Sequence, residues 1–489
     1  MIPNLTTPDF LSILPETIVF VMGMVVLLFD LFGRGRPIRN LAYLTLLTLA
    51  AAAYADWTLL GQGLSGFQGT ILADNYSIAF ELGFLTVTAF TVLISIRYLE
   101  DQEFWFGEYY ALLLFATGGM MLMASGRDLL LIFIGLEILS ISSYVLVGMF
   151  QKDPKSNEAA LKYFLLGAFA TGFLLYGIVM LYGATGSIHL DGIAKALDGK
   201  SAAENPYILF GLGFLLVGFG FKISLAPFHM WTPDVYEGAP TTITAFLSAG
   251  PKAAGFAALV RILVEGLSAT QFHWVQVLWL LAAITMTVGN VLALQQDNIK
   301  RMLAYSSIAH AGYILVAVVV GGAEGLGAII FYAMAYTFMN FGVFAILILA
   351  SSKGRERVTF DDYAGFGYLE PALGLAMLVF MLSLAGIPLT AGFAGKFQIF
   401  KTAVEQGYIW LTVIGVLNSV VSIYYYLRMI VVMYMQQPTN HSISQRAVPS
   451  VPLYAAIAMA IAGVMLLGIF PSLWMDLSLE SVAVMTAGR

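Results

Sequence analysis

The stretch "GFGFKISLAPFHMWTPDVYEGAPTTITAFLSAGPKAAG", Gly218 to Gly255, sets Lys222, Pro227, His229, Asp234, Glu237 and Lys252 inside an otherwise oily chain. Hydropathy alone reads the segment as membrane helix, yet it holds two lysines and a helix breaker. Pro227 has no backbone N–H, and its ring crowds the carbonyl four residues back, at Ile223. The helix is therefore expected to open beside Lys222, leaving carbonyls free to hold water or a proton-carrying group.

The rest of the chain fixes the solvent. Apolar residues make up 60% of the 489 and charged residues 11%, with a mean hydropathy of +0.85, whereas a soluble chain carries about 25% charged residues. Apolar runs of about 20 residues, long enough for a bilayer core of about 30 Å, recur from end to end. They do not alternate as barrel strands do. The expected fold class is an all-α polytopic membrane protein of about fourteen spans: 10–32, 39–60, 77–98, 108–125, 128–150, 158–184, 206–230, 241–265, 273–295, 301–321, 325–350, 370–404, 408–435 and 451–475. Helix breakers in the seventh and twelfth predict two half-helices in each. The first basic residue is Arg34, so no basic signal-peptide region precedes the first span, which is expected to be retained.

Basic residues give the orientation. With the N-terminus outside, the cytoplasmic connections hold Arg34, Arg36, Arg39, Arg97, Lys152, Lys155, Lys300, Arg301, Lys353, Arg355, Arg357 and Arg446. Only Arg127, Lys195, Lys200 and Arg489 fall on the far side. This is the asymmetry of the positive-inside rule, and both termini are expected to be extracytoplasmic.

With no cysteine there is no disulfide, no Cys-ligated iron–sulfur cluster and no thiolate zinc site. The histidines (189, 229, 273, 310, 441) are scattered, so no metal site is predicted. Gly211 and Gly213 lie inside an apolar helix rather than after a strand, which argues against a dinucleotide loop. Any electrons belong to another chain.

Intramembrane charge remains, and it tends to face a bundle interior and mark a transport path. Glu137 in "LLLIFIGLEILSISSYVLVGMF" stands in a long uncharged run, with Ser140 and Tyr144 at i+3 and i+7 on the same face; the plainer reading is a packing carboxyl kept neutral by burial. Lys222 ends a half-helix, where the macrodipole favours a cation, next to the Pro227 break of a kind that transporters use for ion sites. A nearby carboxylate favours the charged lysine and desolvation disfavours it, so displacing or protonating Glu137 would switch Lys222 between holding and releasing a proton. A structural ion pair is the bland alternative. Lys252 sits among Gly250, Pro251 and Gly255, small neighbours that leave a long side chain room. His310 lies near mid-depth as a relay or a hydrogen-bonded core histidine. Lys396 follows a second break at Pro388. Lys162 is one turn inside its helix, close enough to snorkel to the interface; it and His229 are accessory candidates with Ser140 and Tyr144.

Nearly equal stretches separate Glu137 from His310 and Lys222 from Lys396, and the breaks at Pro227 and Pro388 stand slightly closer. Residues 108–265 and 273–435 thus read as two five-helix copies, after an N-terminal segment 1–107 and before a final helix at 451–475. Five is odd, so the second copy is inverted, a transporter design.

"FKISLAPFHMWTPDVYEGAPTTITAFLS" and "DNIKRMLAYSSIAHAGY" carry a resemblance that extends over essentially the whole chain. It resembles the antiporter-like membrane subunits of respiratory complex I, NADH:quinone oxidoreductase, which are related to Mrp-type cation/proton antiporters. "EAALKYFLLGAFATGFLLYGIVMLYGATGS" is most similar to the subunit N branch, as are a lysine rather than a glutamate at Lys396 and an end about 14 residues after the last span, without a long lateral helix. The resemblance implies a proton pathway in which Glu137 pairs with Lys222, continuing through Lys252 and His310 to Lys396; it gives Arg428 no role. It implies a translocase subunit with no redox centre of its own, with FMN, iron–sulfur clusters and quinone in partner subunits. The partners are the neighbouring membrane subunits, the peripheral redox arm indirectly and the lipid bilayer, with no nucleic acid. The implied location is a bacterial inner membrane rather than a thylakoid. An Mrp-type Na⁺/H⁺ antiporter subunit, or the homologous subunit of a membrane-bound hydrogenase or other donor:quinone oxidoreductase, stays open.

Overall fold

Helix follows helix because the apolar runs are bounded by capping residues and breakers. In the computed structural model, which describes residues 6–32, 38–198, 205–351, 356–438 and 450–486, the order begins α1 (Thr7–Ser12), α2 (Leu14–Phe32) and α3 (Ile38–Leu59). A hairpin, β1 (Leu64–Gly66) with β2 (Ile71–Ala73), pairs Leu64 with Ala73 in antiparallel register. Next come α4 (Asn75–Asp101), α5 (Glu108–Ser125), α6 (Leu129–Val147), α7 (Pro154–Thr185), α8 (Leu190–Leu197), α9 (Pro206–Lys222), α10 (Trp231–Gly238) and α11 (Thr241–Arg261). The order ends with α12 (Gln271–Ala293), α13 (Ile299–Val320), α14 (Gly322–Ala350), α15 (Phe366–Leu369), α16 (Pro371–Ala385), α17 (Ala391–Glu405), α18 (Ile409–Met435), α19 (Val451–Ile469) and α20 (Pro471–Thr486). Asp74, Asp128, Asp153 and Asn298 cap α4, α6, α7 and α13 by accepting from first-turn backbone N–H groups.

Among the described residues, 10 helices are long and apolar enough to cross a membrane. The other expected spans fall on α3, α5 and the broken pairs α9/α10 and α16/α17. Of the orientation residues, Arg34, Arg36, Lys200, Lys353, Arg355, Arg446 and Arg489 lie outside the described residues, as does His441.

The structure corrects three sequence expectations. The first span opens with the separate short helix α1, and α2 begins only at Leu14. The last span ends at Ile469, and Pro471, well suited to a first helical turn, starts α20, which packs on α14 and α4. At the seventh span the second half-helix starts only at Trp231, beyond the expected end at 230. The chain between turns through Ser224 in the left-handed region (φ 62) and a cis Ala226–Pro227 bond.

α4, α11, α13 and α14 form the buried centre: windows of α11, α13 and α14 are 94%, 89% and 83% buried, against 33% for α7 and α12. Tight pairing around them rests on small residues. A Cβ on Gly177 of α7 would stand 2.9 Å from the Gly211 carbonyl of α9, and one on Gly289 of α12 2.6 Å from the Ala309 nitrogen of α13.

Candidate proton-pathway site

At the first break α9 stops at Lys222, and its freed carbonyl at Phe221 accepts from Trp231 Nε1 (2.9 Å), while Ala226 N–H donates to Thr285 Oγ1 (3.0 Å). The break is thus internally satisfied, and Lys222 is free to point elsewhere. Its Nζ donates to Ser140 Oγ at 2.9 Å, which in turn donates to the Leu136 carbonyl at 2.7 Å. Lys222 is 2% exposed and its Nζ lies 6.0 Å from the Tyr163 ring. Leu136, Ser140, Tyr144, Thr171, Gly218 and Phe221 enclose with it a cavity of about 10 Å³, the room of one water. Glu137 does not pair directly with Lys222, contrary to what the resemblance implies. It is half-buried and accepts from Thr171 Oγ1 at 2.9 Å, while Ser140, one turn on, is the α6 residue that bonds the lysine. Tyr144 packs edge-on against Tyr163 (4.7 Å) on the wall of the same cavity.

Lys252, 5% exposed on α11, donates to Ser307 Oγ and lies 5.7 Å from the Tyr236 ring. The room expected from its glycines is used otherwise: a Cβ on Gly255 would meet Ile223 at 2.4 Å, so this glycine admits the break of the seventh span. Next to Ser307, Ser306 bonds Tyr426 Oη, which reaches His310 Nε2 at 3.0 Å; His310 Nδ1 meets Tyr332 Oη at 2.7 Å. Both nitrogens of this buried histidine are engaged by hydroxyls. His310 also lies edge-on to Tyr313 (5.6 Å), whose ring sits 5.0 Å from Lys396 Nζ.

Lys396 is 4% exposed, and the second break faces it. Its Nζ donates to the Leu384 and Ala385 carbonyls (3.0 and 3.4 Å) at the end of α16 and to Ser419 Oγ (3.2 Å). Here the carbonyls expected at a break are held by the lysine itself. Pro388 and left-handed Leu389 (φ 72) make the turn, and an open cavity of about 580 Å³ between α17 and α18 leads to the lysine.

The other candidates lie off this series. Lys162 pairs at the surface with Asp234 (2.7 Å) and Glu158 (2.8 Å), and Arg301 pairs with Asp234 (2.7 Å) and Glu237 (3.0 Å). His229, next to the break, is half-buried and its Nδ1 has no hydrogen-bond partner. Arg428 ties α18 to the α12–α13 turn, bonding the Gln296 carbonyl (2.8 Å) and Asp297 (2.7 Å) over the Phe360 ring.

Where α11 and α13 begin, Lys300 meets Glu356 (3.1 Å) and the Ala239 carbonyl (2.7 Å), and Glu356 also accepts from Tyr98 Oη and Thr241 Oγ1, both at 2.6 Å. Burial pushes the Glu356 carboxyl up, but Lys300 and the hydroxyl donors hold it below its ordinary 4.5. A depressed carboxyl stabilises the fold fully above the unfolded value and loses that contribution as pH falls through the folded one. Glu356→Gln is therefore expected to lower the melting temperature at neutral pH, with the gap to the parent closing below about pH 4.5. Melting curves across pH check this; a gap independent of pH refutes it.

Sequence reading missed the hydroxyls of the series: Tyr236, Tyr332, Tyr426, Ser306 and Ser307. Tyrosines count as apolar in a hydropathy scan. The signal available was their helical spacing, as for Tyr332 and Tyr336 at i, i+4.

Residues 126–422 match the family model described as NADH:quinone oxidoreductase/Mrp antiporter, TM. A relative from Trichlorobacter lovleyi, named NADH-quinone oxidoreductase subunit N, is 51% identical over 470 residues, covering 96% of each chain. A chain in the structure of respiratory complex I from Thermus thermophilus with bound aureothin is 37% identical, with a TM-score of 0.80 over 94% of this chain and 98% of that one. A chain of the Mrp complex from Dietzia sp., 19% identical, shares the fold with a TM-score of 0.85 over 97% of this chain and 98% of its own. The buried lysines, the two broken helices and these likenesses lead to one conclusion: the chain belongs to the NADH:quinone oxidoreductase/Mrp antiporter membrane family.

Proposed function

We propose that this chain is the proton-translocating membrane subunit, subunit N, of an NADH:quinone oxidoreductase. The observation that carries the reading is a buried file, Lys222, Lys252, His310 and Lys396, whose members bond hydroxyls and carbonyls rather than carboxylates. A structural ion pair neutralises its charge permanently; these groups are left free to change theirs. Glu137 sets the first of them. Drawn from Thr171 to about 4 Å from Lys222, its carboxylate is worth about 4 kcal/mol at an effective dielectric of 20. Moving a proton across about 150 mV costs roughly 3.5 kcal/mol, so this one displacement suffices. Water at the Lys222 cavity, the adjacent Ser306 and Ser307, and the Tyr426–His310–Tyr332 chain pass the proton toward Lys396.

In this reading the chain is a non-redox translocase subunit; FMN, iron–sulfur clusters and quinone reduction reside in partner subunits, and the neighbouring membrane subunits cover its half-buried flanks. It spans a bacterial inner membrane fourteen times with both termini outside, as two inverted five-helix repeats, 108–265 and 273–435, each with one broken span. Native purification in mild detergent tests the assignment. Co-migrating subunits with flavin and iron–sulfur clusters are expected. Small membrane subunits without redox centres would make the chain an Mrp-type antiporter subunit instead.

A further inference from the structure

Off this file, three carboxylic side chains meet at one end of the bundle. α2 and α4 begin where α3 and α5 end, so Glu16, Asp56, Glu81 and Ser125 lie at the same level. All four are buried, at 1%, 0%, 3% and 1% exposure. Ser125 Oγ donates to Glu16 Oε1 at 2.9 Å. Glu16 Oε2 and both oxygens of Asp56 accept from no donor, and the polar group within hydrogen-bonding reach of Asp56 is the Glu81 carboxyl.

Among the described residues, no cationic side chain serves this cluster. Arg261, buried on α11, is bound bidentately by Asp74 (2.8 and 3.2 Å) and by Glu265 (2.8 Å), and Arg127 is bound by Glu265 and Asp191. Among the described residues, no lysine, arginine or histidine forms an ion pair with Glu16, Asp56 or Glu81. Elsewhere on the elements packed around them, Asp74 faces Arg261, Tyr76 Oη donates to the Ala257 carbonyl, and Glu324 of α14 and Asp476 and Glu480 of α20 are exposed. The carboxyl groups also do not converge as a metal ion requires. Two carboxylates facing each other without a donor or a cation cannot both be ionised in a dry site.

We propose that Glu16, Asp56 and Glu81 form a second proton-holding site, separate from the lysine–histidine file, in which a proton shared between Asp56 and Glu81 replaces the missing counter-charge. Asp56 and Glu81 are the sharing pair, and Glu16, steadied by Ser125, is the group that receives the proton when the pair gives it up. This stands whether or not the file itself conducts.

Infrared H₂O-minus-D₂O spectroscopy of the purified complex at neutral pH tests it, because a protonated carboxyl shows a C=O stretch that shifts on deuteration and a carboxylate does not. The parent is expected to show this acid band, and Asp56→Asn and Glu81→Gln are each expected to lose it while the complex still assembles on native gels. If an amide variant does not assemble, Glu81→Asp keeps the acid with a shorter arm and is expected to shift the band. Spectra unchanged across these variants overturn the proposal. So does a band that appears only when sodium is exchanged for choline, which would mean that a cation fills the site.

Discussion

Lys222→Ala is expected to abolish proton pumping while the chain still inserts and assembles. The side chain is buried, its one close polar partner is the neutral Ser140 hydroxyl, and the adjacent cavity holds room for one water. In the proposed pathway, removing it takes away the first titrating member of the file and enlarges the cavity beside Ser140. A positioned proton carrier contributes roughly 10²–10⁴-fold, so NADH-driven proton uptake into reconstituted vesicles should fall at least a hundredfold. Two further substitutions separate carrier from structural cation. Lys222→Arg keeps the charge but does not release its proton, and should fail as well. Glu137→Ala should also uncouple, since it removes the movable countercharge. A structural cation would be rescued by arginine, and normal pumping in both alanine variants would refute the pathway.

Arg261→Ala is expected to give the largest loss of stability in the molecule. The guanidinium is 0% exposed, its Nε donates to the Ala124 carbonyl (2.9 Å), and its other nitrogens hold Asp74 and Glu265, with the Tyr76 ring 5.0 Å away. These bonds join the start of α4, the end of α5 and the end of α11. Deleting one partner of a buried ion pair costs about 3–5 kcal/mol, because the remaining charge is left uncompensated. Thermal melting of the purified complex, followed on native gels, should show an earlier transition in Arg261→Ala and a partial recovery in the double variant with Asp74→Ala. Melting indistinguishable from the parent would refute the assignment.

Much of this was legible in the sequence where a residue broke its local context. A lysine in an apolar run has few places to go, so Lys222, Lys252 and Lys396 stood out, and each is buried. Pro227 and Pro388 marked the breaks because the missing N–H acts locally. What stayed hidden depends on partners far apart in the chain. Nothing in "GLEILS" says that Ser140, not Glu137, meets the lysine, because that follows from how α6 is rotated against α9. Lys162 read equally as an interior or a surface residue until Asp234, on a different helix, decided for the surface. Glu16, Asp56 and Glu81 lie near span ends, where acids are ordinary, and only the meeting of three helix ends makes them unusual.

At the second break, a proton and a piece of backbone share one bond network. The Lys396 ammonium caps α16, binding its last carbonyls, and a cation at a helix C-terminus is worth about 0.3–2 kcal/mol. A neutral amine has one N–H fewer and no charge for the dipole to hold. In the proposed pathway, each time this lysine gives up its proton α16 loses part of its cap, and each return restores it. A change of protonation thereby becomes a small change of shape at the end of a half-helix, and a push on that half-helix becomes a change in how firmly the proton is held.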